Sequence, residues 1–110
     1  MNMNEDQNKI WNYLKENCVG INKAQHVENI AKNLGYPNYG TNNDDIRFCV
    51  TSLVMDFDCP IGSCPNGYFI ITDETERNKV IDYLTRVSPK TEKLKHIELY
   101  RIPKFRNTLI

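Results

Sequence analysis

Long apolar runs are missing from this chain: no stretch of its 110 residues comes near the ~18–20 apolar residues that a membrane span requires. A membrane-spanning helix is therefore not expected. The opening stretch, Met1 to Lys9, is polar and rich in Asn, without the apolar segment of a secretory leader, so the chain reads as cytoplasmic. Histidine is scarce, with only His26 and His96. Both fall in helical stretches that bring no nucleophile or carboxylate close in sequence, and acid–base catalysis needs positioned partners. No glycine-rich turn stands between a strand and a helix to cradle phosphate. The Asp44/Asp45 and Asp56/Asp58 pairs read as a helix start and a helix end. These absences argue against an enzyme and against a cofactor.

Cysteine is present but does not form a framework. Cys18 and Cys49 stand alone, and Cys59 and Cys64 make one close pair with no second pair or neighbouring histidine. Structural zinc sites present four nitrogen or sulfur ligands in paired spacings, so no metal is expected. A reducing cytoplasm argues against disulfides, leaving free, partly buried thiols. Apolar residues at 40% and charged residues at 25% describe an ordinary small domain, and the length suits one core.

Helical periodicity dominates what is there. Ile10, Trp11, Leu14 and Cys18 recur on one side of a first helix over 5–17, with Gly20 beyond its end. Asn22 suits the cap of a second helix, 23–34, which places Ala24, Val27, Ile30, Ala31 and Leu34 on one stripe and closes at Gly35. Ile21 is read as a short extended residue before it. Tyr36-Pro37-Asn38-Tyr39-Gly40 is turn chemistry. A third helix begins at a cap supplied by Thr41, Asn42 or Asn43, with Asp44 and Asp45 at the positive end of its dipole. Its buried stripe is Ile46, Cys49, Val50, Leu53 and Phe57, and Pro60 forbids continuation. Pro60-Ile61-Gly62 and Tyr68-Phe69-Ile70-Ile71-Thr72 flank a turn from Ser63 to Gly67, which makes a β-hairpin. Alternation along the second strand sends one set of side chains inward onto the helices. A fourth helix runs from Asp73 or Thr75 to Val87, with Val80, Tyr83, Leu84 and Val87 on one face. Ser88-Pro89 opens a fifth, from Lys90 to about Ile102, which Pro103 stops.

Helix, short strand, helix, turn, helix and hairpin is the order of a winged-helix protein. The stretch Val54-Met55-Asp56-Phe57-Asp58, Cys59-Pro60-Ile61-Gly62-Ser63 and Gly67-Tyr68-Phe69-Ile70 resembles small winged-helix proteins of bacteriophages and related mobile elements, in which a P-I-x-S…G-Y-F/W pattern forms the wing. The order of elements agrees over roughly residues 10–100, and the wing stretch alone is specific at residue level. The resemblance implies a mainly α (α+β) winged helix-turn-helix fold. Residues 1–73 would form the winged-helix domain, and 74–110 a basic two-helix extension packed on it, which offers a route to a homodimer. It implies binding of double-stranded DNA in phage transcription or replication, in the cytoplasm of a bacterial host, with the third helix in the major groove.

Charge complicates that implication. Net charge is zero, with 14 basic and 14 acidic residues, but the two signs are segregated. Residues 1–76 carry five basic and eleven acidic residues, a net −6, and residues 77–110 carry nine and three, a net +6. Lys and Arg supply most non-specific DNA affinity, yet the stretch from Gly62 to Gly67 has no basic residue. Three readings stay open. In one, Arg47, Thr51 and Ser52 on the third helix, Asn43 at its start and the wing residues Ser63 and Asn66 touch DNA, Lys23 and Gln25 meet its backbone, and Arg86 and Lys90 extend the track of phosphate contacts. In the second, Phe48 and Met55, with Asp44 beside them, form a protein-docking or dimer patch, as for an inhibitor or loader of a host factor. In the third, Phe48 and Met55 are covered by the amino terminus or the fifth helix.

Overall fold

The computed structural model describes residues 2–37 and 43–87. It is mainly helical with one small antiparallel hairpin, an α+β arrangement. Helix α1 (Glu5–Asn17) is followed by a 3₁₀ turn at Ile21–Lys23, α2 (Val27–Leu34), α3 (Asp44–Phe57), β1 (Ile61–Cys64), β2 (Gly67–Ile70) and α4 (Glu74–Val87).

Local chemistry sets most of these boundaries. A capping box opens α1. The Gln7 amide donates to Asn4 Oδ1 and the Asn4 amide to Gln7 Oε1, both at 2.8 Å, so two otherwise orphan donors are satisfied reciprocally. Glu5 and Asp6 add negative charge at the positive end of the helix. Helix α2 closes with Gly35 in the left-handed region and the Tyr36 amide bonded back to the Ala31 carbonyl at 2.9 Å. Helix α3 ends on Asp58, also left-handed at φ 55°, where Asp is one of the better-tolerated non-glycine residues. At the start of α4, Asp73 Oδ1 accepts from the Glu76 amide at 2.8 Å.

The second helix starts later than its apolar pattern predicts. Asn22 does not cap it; Ile21, Asn22 and Lys23 form the 3₁₀ turn, and His26 takes the cap position. Gln25 is extended and exchanges backbone hydrogen bonds with Tyr68, Gln25 N to Tyr68 O at 3.0 Å and Tyr68 N to Gln25 O at 2.8 Å. Six residues earlier Val19 bridges Ile70 in parallel. The α1–α2 connection thus lies along the free edge of β2 at two points, with the 3₁₀ turn arched between them. Pairing an edge strand that would otherwise expose its amides outweighs the modest helix preference of Lys23 to His26.

The hairpin is tighter than its composition suggests. Ile61 pairs with Ile70 and Cys64 with Gly67, so only Pro65 and Asn66 form the turn. Ser63 and Cys64 belong to β1. Gly67 sits at φ 117°, and a Cβ there would lie 2.0 Å from the Gln25 carbonyl oxygen, so the Gln25–Tyr68 bridge requires a residue without one.

Two apolar clusters fill the interior. The larger joins Ile10, Leu14 and Cys18 of α1, Val27, Ile30 and Ala31 of α2, and Ile46, Val50, Leu53 and Val54 of α3 to Ile61 and Ile70 of the hairpin. Helix α3 and the ribbon therefore share one core, as the apolar stripes require. Val54 completes the α3 stripe, whereas Cys49 and Phe57 are only half-buried. The smaller cluster holds Cys64, Phe69, Ile71 and Val80, flanked by Ile21, Ala24 and Tyr83. Both faces of the hairpin are consequently covered, one by the three-helix core and the other by α4. A Cβ on Gly62 would stand 2.5 Å from Val80 Cγ2, so its absence sets how closely α4 approaches β1. Glu76 adds a polar clamp, accepting from the Ile21 amide at 2.8 Å through one oxygen and from the Thr72 amide at 2.9 Å through the other. Thr41 and Asn42, the side chains of Leu84 and Val87, and the fifth segment with Lys90 lie outside the described residues.

Candidate nucleic-acid interface

A cleft of about 220 Å³ opens where three elements meet. His26 at the start of α2, Arg47 on the second turn of α3, Ser63 and Pro65 of the hairpin, and Tyr68 and Tyr83 line it. The Gln25–Tyr68 bridge holds the mouth together, since it fixes the residue before His26 to the strand that carries Tyr68.

Arg47 and Tyr68 are the electrostatic centre. Burial pushes the Tyr68 phenol above its ordinary value, and the Arg47 guanidinium, close by and hydrogen-bonded to it, pulls the other way. The bond spans the two elements and gives the exposed Arg47 side chain a defined direction. Thr51 donates from Oγ1 to the Arg47 carbonyl at 2.9 Å, one turn further along α3.

The other residues singled out in the sequence are dispersed. Lys23 is exposed at the end of the 3₁₀ turn, Ser63 is half-buried in the cleft, and Asn66 is exposed at the hairpin turn beside Pro65. Three have internal roles. Asn43 is 7% exposed at the start of α3. Gln25 accepts from the Tyr13 hydroxyl at 2.6 Å, and Tyr13 accepts in turn from Asn33 at 2.7 Å. Ser52 accepts from Gln7 Nε2 at 2.9 Å and donates to the Cys49 carbonyl at 2.7 Å, tying α1 to α3. Arg86 is exposed and pairs with Asp82 on its own helix at 3.4 Å. Lys90 falls outside the described residues.

Of the proposed docking patch, Phe48 stands 79% exposed, with Asp44 exposed near it. Met55 does not join them on an outward face; it is half-buried and packs against the larger core. Val54 beside it is 3% exposed, so the buried face of α3 is wider than the predicted stripe and takes in part of Met55. His26, Tyr68 and Tyr83 were not foreseen in the cleft. His26 could not be, because a second helix begun at Lys23 places it inside a helix instead of at its cap.

The four thiols are free. Burial pushes Cys18 and Cys49 up to about 11 and Cys59 to about 12, so they stay protonated at neutral pH and make poor nucleophiles or metal ligands. Among the described residues no cluster of metal-ligating side chains forms, and no helix is long and apolar enough to cross a membrane. No protein-family model matches the chain, and neither the curated proteins nor the solved structures hold a match.

Proposed function

We propose that this chain is a winged-helix DNA-binding protein, a phage-like regulator of transcription or replication acting in the cytoplasm. The observation that carries the reading is the pairing of the α1–α2 connection with β2. Two isolated bridges hold that connection against the outer edge of the two-stranded hairpin, α2 and α3 pack in the core on one of its faces, and in this reading the exposed turn at Pro65 and Asn66 serves as the wing. In that geometry α3 and the wing flank one cleft, and the side chain held between them is Arg47, the residue type that reads guanine edges best. The Tyr68 hydroxyl holds the guanidinium, so less side-chain freedom is lost on contact with a base. His26 stands on the α2 side of the cleft, where a phosphate would meet the first amides of that helix, and Lys23 is exposed on the 3₁₀ turn three residues before it.

The net −6 of residues 1–76 weakens attraction to DNA over the rest of this surface. Affinity then leans on Arg47 and Lys23 together with the basic residues of 77–110, and falls steeply with salt. No catalytic step is part of the reading, and burial keeps Cys18, Cys49 and Cys59 protonated at neutral pH. A homodimer through the carboxy-terminal segment would place two wings on one duplex.

Fluorescence anisotropy on random and genomic duplexes across a salt series tests the proposal. DNA binding gives a log–log slope of about −0.9 per neutralised phosphate. Arg47→Ala is expected to weaken binding to the preferred sequence by about 1–3 kcal/mol while leaving non-specific binding nearly as it was. An unchanged Arg47→Ala variant would remove α3 from recognition, and no binding at low salt would end the reading.

A further inference from the structure

Helix α3 carries a second margin, one residue around from Arg47, that faces α1 and not the hairpin. There an open groove of about 580 Å³ runs between the first turns of α1 and the amino-terminal half of α3. Ile10 and Cys49 form its floor, Phe48 one wall, and Asp6 and Asp45 its rim. Phe48 is 79% exposed, an unusual position for a phenyl ring that buries nothing in its own core.

The walls are held in place before anything binds. Gln7 to Ser52 links the two helices across the groove, and the capping box fixes the turn that carries Asp6. Asp6 Oδ1 accepts from the Tyr36 hydroxyl at 2.8 Å, which anchors that carboxylate at the groove. The local field is negative: besides burial, Asp6 and Glu5 hold the Tyr36 phenol well above its ordinary value. The Lys9 ammonium rests over the Tyr36 ring, 4.9 Å from its centre, beside the groove and not in its lining.

We propose that this groove docks a basic amphipathic segment of another protein, one apolar side chain lying against Phe48 and Lys or Arg side chains reaching Asp6 and Asp45. The charge decides between occupants. The same carboxylates that favour a cationic segment repel a phosphate backbone, so DNA belongs to the opposite margin of α3. A second copy packed face to face would bring Asp6 and Asp45 of both copies together, a like-charge juxtaposition that opposes such a dimer. Floor, wall and rim supply an apolar anchor site inside a polar edge, the arrangement that concentrates binding energy in a few residues. The inference stands independently of DNA binding.

The experiment titrates the full-length ¹⁵N-labelled chain with a synthetic amphipathic Lys/Leu peptide and, in parallel, with a Glu/Leu peptide of the same pattern. Shift changes are expected at Gln7, Ile10, Asp45, Phe48 and Cys49 with the Lys/Leu peptide, and none with the Glu/Leu peptide. Phe48→Ala and Asp45→Asn are each expected to weaken binding by about tenfold or more, with the remaining spectrum unchanged to show that the fold persists. Shifts centred on other acidic stretches, equal binding of both peptides, insensitivity to Phe48→Ala, or no binding by the full chain would each overturn the proposal. A Phe48-dependent dimer in sedimentation would assign the groove to a second copy and overturn it as well. A DNA titration keeps the two readings apart. Shifts near Arg47 and Tyr68 that survive Phe48→Ala support both, shifts at the groove amides would give the groove to DNA, and silence toward DNA would remove only the nucleic-acid reading.

Discussion

Gly67 and Gly35 form a natural experiment on why this chain folds as it does. Both have positive φ, 117° and 76°, and both follow a tight change of chain direction. Their surroundings differ completely. A Cβ on Gly35 meets nothing within 4 Å, whereas one on Gly67 falls 2.0 Å from the Gln25 carbonyl oxygen and 2.5 Å from the His26 nitrogen. Alanine at 35 should therefore cost only the backbone preference, about 1 kcal/mol. Alanine at 67 pays a similar backbone cost and also collides with main chain, which no side-chain rotation relieves. The Gln25–Tyr68 bridge must open, with the loss of two hydrogen bonds at about 0.5–1.5 kcal/mol each, for a total of roughly 2–4 kcal/mol. A domain of this size has about 5–15 kcal/mol in all, so Gly67→Ala should shift the unfolding midpoint visibly. Urea unfolding of the two variants followed by circular dichroism measures both. The reasoning fails if Gly67→Ala unfolds within about 0.5 kcal/mol of the unchanged protein, or if Gly35→Ala is the more damaging of the two. If the cleft binds DNA as proposed, Gly67→Ala should also weaken that binding under conditions where the variant remains folded, because the bridge holds the strand that carries Tyr68.

Two further outcomes follow from burial. Phe69→Ala removes a fully buried ring between the hairpin and α4 and should cost about 3–5 kcal/mol, whereas Phe48→Ala should leave thermal unfolding nearly unchanged because that ring faces the groove; equal losses would contradict the assignment of Phe69 to the second cluster. The pH dependence has a defined sign. Cys18, Cys49 and Cys59 have folded-state values raised from 9.0 to about 11, 11 and 12, so above pH 9 the unfolded chain loses thiol protons that the folded chain keeps. Stability from this source is fully present at pH 8 and declines as pH rises through 9 toward 11 and 12; a urea midpoint at pH 10.5 that equals the one at pH 8, in reductant, would contradict burial of these thiols.

The first and third helices, the hairpin and the core they share were legible because each rests on local chemistry or on a strong apolar period. Asn4 and Gln7 cap α1 within three residues of each other. Ile46, Val50 and Leu53 repeat at helical spacing, and Pro65-Asn66-Gly67 is turn chemistry wherever it occurs. The cleft was only partly legible. Arg47 and Ser63 stand out in the sequence, but Tyr68 is one of several alternating strand residues and His26 falls inside an apolar helical pattern, because neither the Arg47–Tyr68 bond nor the bridge beside His26 leaves a mark on residues near it in sequence.

By itself, then, the order of amino acids determined where the chain coils, where it turns and which stripes seek an interior, since those depend on neighbours a few residues away. Tertiary structure alone decided where α2 begins, that both faces of the ribbon are covered, and which margin of α3 looks toward the hairpin and which toward α1. Those outcomes come from groups far apart in sequence competing for the same edge amides and the same apolar surface, and only their meeting in space settles which contact is made.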